Sequence, residues 1–127
     1  MTPKVLLVDD EERFRTTLSK MLRAQGLEVT ALRSGREALA ELEKQAYDVM
    51  VLDLRMPDMD GIATLTAIKS IAPQTEVIIL TGHADMDAAV EIMRLGGYDY
   101  LLKPCPVEDL LAKIESAFER KTTRERK

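Results

Sequence analysis

One stretch in the middle of the chain limits the possible folds more than any other. It is the apolar run 49–52, which ends on a single carboxylate, Asp53. A short and continuously apolar run is typical of a strand buried on both faces, as in a parallel sheet. Turn-forming residues follow, among them Pro57 and Gly61, before a helical pattern begins. Asp53 is therefore predicted to lie where a buried strand ends, and ligands bind at that edge of open α/β sheets.

Four further segments have the composition of strands, and a helical pattern follows each of the five. These segments are residues 5–8, 27–32, 76–81 and 98–103. Such alternation predicts a parallel sheet with helices on both faces. The first, third and fourth strands are almost entirely apolar and should be central, whereas the second and fifth contain polar residues and should be edges. The pattern predicts an α/β fold with a doubly wound five-stranded parallel sheet of order 2-1-3-4-5, although other orders with the same edges fit it too.

Size, charge and cysteine content narrow the class of protein. A chain of 127 residues fits one domain, and its net charge of −4 argues against direct binding of nucleic acid. The single cysteine, Cys105, excludes an internal disulfide and fits a reducing compartment. Neither a signal-peptide pattern nor an apolar run of membrane-spanning length is present, so we expect a cytoplasmic protein that does not contact membranes.

Apolar residues at helical spacing mark the face of each helix that should pack on the sheet. The predicted inward residues are Phe14, Leu18, Met21 and Leu22 in helix one, Ala38, Leu39, Leu42 and Ala46 in helix two, Leu65, Ile68 and Ile71 in helix three, Ala89, Val90 and Met93 in helix four, and Leu110, Leu111, Ile114, Ala117 and Phe118 in helix five. Ile92 and Leu95 fall outside the stripe of helix four, so we expect them on a surface available for a dimer or effector contact. Asp10 is predicted as the N-cap of helix one and Gly26 as its C′ residue.

Ionisable and hydroxyl side chains stand at the ends of four of the predicted strands. Asp9 and Asp10 follow the first strand, Asp53 and Thr81 end the third and fourth, and Lys103 ends the fifth. Since the ends of parallel strands share one edge, these groups should converge near the switch point between strands one and three. Clustered carboxylates must bind a proton or a cation, and hard oxygen ligands favour Mg²⁺ or Mn²⁺. Beside such an ion and a lysine, Asp53 would be equipped to take a phosphoryl group.

The same residues, in this order, resemble the receiver domain of bacterial response regulators. The matching motifs are Asp9-Asp10, Asp53 followed by Met56-Pro57 and Gly61, Thr81-Gly82, and Lys103-Pro104. The resemblance extends from residue 4 to about residue 120. It implies a phosphorylation-activated switch of a two-component system, which is not an enzyme in the usual sense but assists its own phosphotransfer and autodephosphorylation.

The resemblance implies a role for each residue at the acidic site. Asp53 accepts a phosphoryl group from a sensor histidine kinase. Asp10, Asp53 and the backbone carbonyl of Arg55 bind Mg²⁺, for which Mn²⁺ can substitute, and Asp9 supports the metal largely through water. The position of His83, like that of Arg55, is variable in the family and affects how fast the phosphoryl group is lost. We therefore hypothesise that both residues tune dephosphorylation.

The resemblance also implies how the state of Asp53 reaches the surface. Thr81 hydrogen-bonds the phosphoryl group, Lys103 pairs with it, and Tyr100 swings inward when Thr81 moves. The Lys103–Pro104 peptide bond is implied to be cis. The responding surface consists of helix four, strand five and helix five, which would contact an effector, expected to be a transcriptional one, or a second copy of the chain.

Other interpretations stay open at this point. Singly, Asp10 could be only a helix cap, Lys103 a solvated lysine and Tyr100 a core aromatic. An aspartate-dependent phosphatase of the haloacid dehalogenase type, a flavodoxin-like ligand binder and a phosphate-independent scaffold are competing functions. The receiver domain is predicted to span residues 1–120, with 121–127 as a basic tail or the start of a linker to an effector domain.

Overall fold

Strands and helices alternate throughout the part of the chain that the computed structural model describes, residues 2–54, 60–82 and 85–125. The strands are β1 (Lys4–Val8), β2 (Glu28–Leu32), β3 (Val49–Asp53), β4 (Glu76–Thr81) and β5 (Asp99–Leu102); the helices are α1 (Glu12–Ala24), α2 (Gly35–Lys44), α3 (Gly61–Ile71), α4 (Met86–Arg94) and α5 (Val107–Glu125). All strand pairs are parallel, and the order is β2-β1-β3-β4-β5. The predicted sheet and its strand order are confirmed.

The sheet separates two apolar layers, and the central strands supply both of them. Successive side chains of a strand point to opposite faces. Val5 and Leu7 of β1 accordingly pack with α1 and α5, whereas Leu6 and Val8 pack in the layer to which α2, α3 and α4 contribute. Every residue of β3 and β4 is buried, while β2 and β5 are only partly covered. Polar side chains on the central strands therefore lie only at the ends of these strands.

Helix α4 presents a different face to the sheet from the one predicted. Ala89 and Ile92 are its fully buried residues, while Val90 is 44% exposed. Ile92 packs close to Gly61 and Gly97, where a Cβ atom would meet its side chain at 3.1 Å and 3.5 Å. The predictions that Val90 points inward and Ile92 outward were wrong, because the i, i+3 pair Ala89 and Ile92 defines the contact. Leu95 is 45% exposed, as expected.

Three further predicted core residues lie outside the core. Met21 and Ile71 are 42% and 36% exposed, because they lie at the margins of the inward stripes of α1 and α3. Ala46 is exposed because α2 ends at Lys44, and the neighbouring Tyr47 is buried in its place. The other predicted inward residues are buried or partly buried: Phe14, Leu18, Leu22, Ala38, Leu39, Leu42, Leu65, Ile68, Ala89, Met93, Leu110, Leu111, Ile114, Ala117 and Phe118.

Helices α1 and α5 end in different ways. Gly26 has a φ of +91° and its N–H donates to the carbonyl of Arg23, which confirms it as the C′ residue of α1. Helix α5 runs through the predicted domain boundary at residue 120 and continues to Glu125. In the described ranges, no helix combines the length and apolar character that crossing a bilayer would require.

Candidate functional site

The register of the sheet brings the predicted site residues to one edge. Val8 pairs with Leu52, so Asp9 and Asp53, each one position further along, leave the sheet side by side. Backbone hydrogen bonds continue the ladder beyond the strands: the Asp9 N–H donates to Leu32 O at 3.1 Å, and the Lys103 N–H donates to Thr81 O at 2.8 Å. The backbone therefore fixes these positions before any side chain interacts.

Three carboxylates meet at this edge. One oxygen from each of Asp9, Asp10 and Asp53 lies within 4.8 Å of the others. Asp9 is 0% and Asp53 6% exposed, while Asp10 is exposed to solvent. Carboxylates this close, two of them buried, repel one another unless cations compensate their charge.

Lys103 supplies one compensating charge. Its Nζ lies 3.0 Å from Asp9 Oδ2 and 3.4 Å from Asp53 Oδ2, and 4.4 Å from the centre of the Phe14 ring. Burial by itself disfavours the charged ammonium, but the hydrogen bond to Asp9 and the field of Asp53 outweigh it, so the pKa of Lys103 is raised. Lys103 is thus held protonated between the two buried carboxylates.

Asp9 and Asp10 differ in their surroundings. Both oxygens of Asp9 accept hydrogen bonds, Oδ1 from the Glu11 N–H at 2.9 Å and Oδ2 from Lys103. The N-cap of α1 is Glu11, whose side chain makes no capping hydrogen bond, so the prediction that Asp10 caps this helix was wrong. Asp10 instead contributes a carboxylate to the cluster at the solvent side.

Thr81, Tyr100 and Pro104 complete the edge on the β4 and β5 side. Thr81 is 1% exposed, and its hydroxyl donates to Gly82 O at 3.2 Å. Tyr100 is half-buried against the apolar layer under α4, and β5 places it beside Ile79 of β4. The Lys103–Pro104 peptide bond is cis. A hydroxyl at the end of β4 and an ammonium just after β5 therefore stand at the same edge as the carboxylates.

Two predicted site residues, Arg55 and His83, lie outside the described residues. One contributor was missed by sequence reasoning, which assigned Phe14 to the core only. Its ring also lies under the Lys103 ammonium, a contact that a cation and an aromatic ring favour. The sequence signal for it was weak, because Phe14 and Lys103 are distant along the chain.

The residues present fit a hard divalent cation. Three carboxylates and one ammonium together carry a charge of −2 if all four groups are ionised, and one oxygen from each carboxylate lies within 4.8 Å of the others. Carboxylate oxygens without thiolate or imidazole partners suit Mg²⁺ or Mn²⁺ better than zinc. Asp9, Asp10 and Asp53 are the described residues that could hold such an ion.

Comparison with known protein families gives a match over most of the chain. The model of the family described as response regulator receiver domain matches residues 5–115. Transcriptional regulatory protein ZraR of Escherichia coli is 41% identical over 113 residues, which are 89% of this chain and 26% of that protein. The chain thus spans about a quarter of the length of this curated relative.

Solved structures agree with that match. A response regulator receiver domain protein from Clostridium thermocellum is 36% identical, with a TM-score of 0.91 over 95% of this chain and 98% of that one. The beryllofluoride-activated NtrC4 receiver domain dimer is 39% identical, with a TM-score of 0.86 over 93% of this chain and 98% of that one. Both are receiver domains with the fold found here.

Proposed function

The chain belongs to the response regulator receiver family, and we propose that it accepts one phosphoryl group on Asp53 with the help of a divalent cation. The observation that supports this proposal most directly is the cluster of Asp9, Asp10 and Asp53 beside the Lys103 ammonium. Among these carboxylates we assign the acceptor role to Asp53. It ends β3, which lies between β1, followed by Asp9 and Asp10, and β4, which ends at Thr81.

The proposed step is an in-line displacement at phosphorus. An oxygen of Asp53 forms the new O–P bond while the N–P bond of a phosphohistidine on the donor breaks. Bound to Asp9, Asp10 and Asp53, Mg²⁺ or Mn²⁺ would offset charge on the phosphoryl oxygens. The Lys103 ammonium would add a second positive charge near the phosphoryl group. The Thr81 hydroxyl, which donates to Gly82 O, can turn to donate to a phosphoryl oxygen instead. The chain contributes positioning and electrostatics.

The partners follow from this chemistry and from the relatives. A sensor histidine kinase would be the donor. Since each chain takes one phosphoryl group on its own side chain, the protein would act as a switch that assists its own phosphorylation and autodephosphorylation rather than turn over a separate substrate. We place the receiver unit at about residues 1–120. The ZraR match supports a transcriptional effector beyond it, and this effector would make the contacts with nucleic acid.

The output would pass through Thr81 and Tyr100 to the surface formed by α4, β5 and α5. Phosphorylation adds charge and acceptor oxygens at one point, and a packed two-state element can convert that change into a surface rearrangement. Tyr100 pairs in register with Ile79, two residues before Thr81 on the neighbouring strand. The structure of the NtrC4 receiver as a dimer supports a second copy of the chain as one partner.

Intact-protein mass spectrometry after incubation with acetyl phosphate tests the proposal. We expect the mass of one phosphoryl group to be added only with Mg²⁺ present, and not to Asp53→Asn. Asp87→Asn is the matched control, because it makes the same change at an exposed carboxylate in the first turn of α4. An adduct that persists in Asp53→Asn, or no adduct under any condition, would contradict the assignment.

A further inference from the structure

A carboxylate is buried at the amino ends of the strands, whereas the acidic site lies at their carboxyl ends. Glu76 is the first residue of β4 and is 1% exposed. Three cations surround it: Lys69 Nζ at 3.8 Å and Arg124 Nη1 at 3.4 Å from Oε1, and Arg120 Nε at 3.0 Å from Oε2. Two of the three come from the last turns of α5. A buried charge needs such partners, because an uncompensated one is strongly unfavourable.

The inward-facing residues of α5 change from apolar to basic near the end of the helix. Leu110, Ile114 and Ala117 are buried against the sheet. The same stripe continues as the basic residues Arg120, Lys121 and Arg124, at spacings of three and four residues. No apolar side chain follows Phe118 in the sequence, so hydrophobic burial cannot hold these last turns.

Polar contacts hold them instead. Apart from the Lys121–Glu125 pair within the helix, the contacts described below reach the loops and strand starts at the amino ends of β3, β4 and β5. Lys121 Nζ lies 3.1 Å from Asp48 Oδ1, just before β3, and Arg124 Nη2 lies 3.4 Å from both the carbonyl and the side-chain oxygen of Gln74, just before β4. The guanidinium of Arg120 also lies 5.4 Å from the centre of the Tyr98 ring. Of the anchoring carboxylates, Glu76 is the more deeply buried and binds two residues of the segment.

We propose that Glu76 is a positioning residue that holds the last turns of α5, residues 119–125, against the sheet and so fixes the direction in which the chain leaves the domain. These residues lie beyond the family match, which ends at residue 115. A helix end without apolar contacts frays readily. With Glu76 in place, the segment leaves as a docked helix of set direction.

Hydrogen exchange of the full chain tests the anchoring role. In Glu76→Gln the amides of residues 119–125 should exchange about tenfold faster or more, because the charge that binds two arginines is gone. Amides of 107–117 and of β4 should keep their rates. Glu28→Gln is the matched control: Glu28 is the first residue of β2 and is exposed, and this substitution should leave residues 119–125 unchanged.

The direction itself is measured by the distance between two spin labels. Ser70→Cys on α3 and Thr123→Cys on α5 are exposed label positions, in a Cys105→Ser background. We expect a narrow distance distribution that broadens in Glu76→Gln. If Glu76→Gln does not fold, Arg120→Gln with Arg124→Gln replaces it under the same criteria. Unchanged exchange and distances would overturn the proposal. Faster exchange spread over the whole domain would also overturn it, since Glu76 would then support only the fold.

Discussion

Replacing Lys103 by Met tests whether the acidic site depends on the Lys103 ammonium. Methionine is of similar length and keeps an apolar contact with the Phe14 ring, so the substitution removes the charge with little loss of packing. It leaves Asp9 and Asp53 buried and close together with no ammonium between them. The folded state should lose stability as a result.

The size of the loss follows from the distances. At an effective dielectric constant of about 20, contacts of 3.0 Å and 3.4 Å correspond to about 5.5 and 4.9 kcal/mol of Coulomb attraction. Desolvation of the three charges cancels much of this attraction, and breaking a buried pair costs about 3–5 kcal/mol. Since the Lys103 side chain is 28% exposed, we expect the lower end, about 3 kcal/mol, or about 10 °C in Tm.

Urea denaturation with and without Mg²⁺ measures this loss and its cause. A divalent cation held by Asp9, Asp10 and Asp53 would replace the missing positive charge. The difference between the native chain and Lys103→Met should therefore shrink to about 1.5 kcal/mol or less in saturating Mg²⁺. Lys20→Met is the control, because Lys20 is an exposed residue of α1, and it should change the free energy of unfolding by less than about 0.5 kcal/mol.

The reasoning fails if Lys103→Met unfolds at the same urea concentration as the native chain, because the ammonium would then not stabilise the carboxylates. It also fails if the loss is equally large with and without Mg²⁺. In that case the lysine would matter through its cation–π contact with Phe14, and the proposal that Lys103 and a divalent cation compensate the same carboxylates would be wrong.

Two further predictions concern the same edge of the sheet. The pKa of Lys103 is raised on folding, so its contribution to stability is fully present below the ordinary lysine pKa of about 10.4 and is lost as pH rises through the folded value. The difference in the free energy of unfolding between the native chain and Lys103→Met should therefore stay constant up to about pH 10 and disappear above it. A difference that disappears near neutral pH would refute the assignment. Arg55 and His83 each follow a site residue by two positions, Asp53 and Thr81, so replacing both by Ala should change the lifetime of the aspartyl phosphate severalfold; an unchanged lifetime, followed by intact mass over time, would remove both from the mechanism.

The sheet could be predicted because its central strands are unambiguous. The run 49–52 is apolar at every position, which is typical of a short strand covered on both faces. Once the strands are placed, parallel pairing aligns their carboxyl ends, and the convergence of Asp9, Asp53, Thr81 and Lys103 follows from the register alone. The site was predictable because it depends on strand ends rather than on side-chain packing.

Helix faces were predicted less well, for a reason that α4 illustrates. In a short helix with apolar residues at several adjacent positions, more than one stripe fits the sequence. Val90 and Ile92 are both apolar, and only contacts with α3 and with the turn after α4 decide that Ile92 faces inward. Such a choice is made by the neighbouring elements, which a local pattern does not contain.

The buried carboxylate of Glu76 was outside the reach of the sequence for a related reason. A glutamate that opens a strand is ordinarily solvated, and its burial here depends on Arg120 and Arg124, more than forty residues away. The composition of residues 121–127 predicted a basic tail or the start of a linker. Only the geometry shows that Arg120 and Arg124 point back to Glu76, and that α5 continues to Glu125.

Strand β4 connects the two polar regions of the domain and explains why they are separate. Its interior, Val77 to Leu80, is apolar and fully buried, so polar groups can stand only at its ends. Thr81 lies at the carboxyl end, beside the acidic site, and Glu76 lies at the amino end, beneath the last turns of α5. The carboxylate cluster lies at the first end. The second end bears none of the described residues of that cluster, so the proposed anchor of α5 and the cluster around Asp53 lie at opposite ends of the strands.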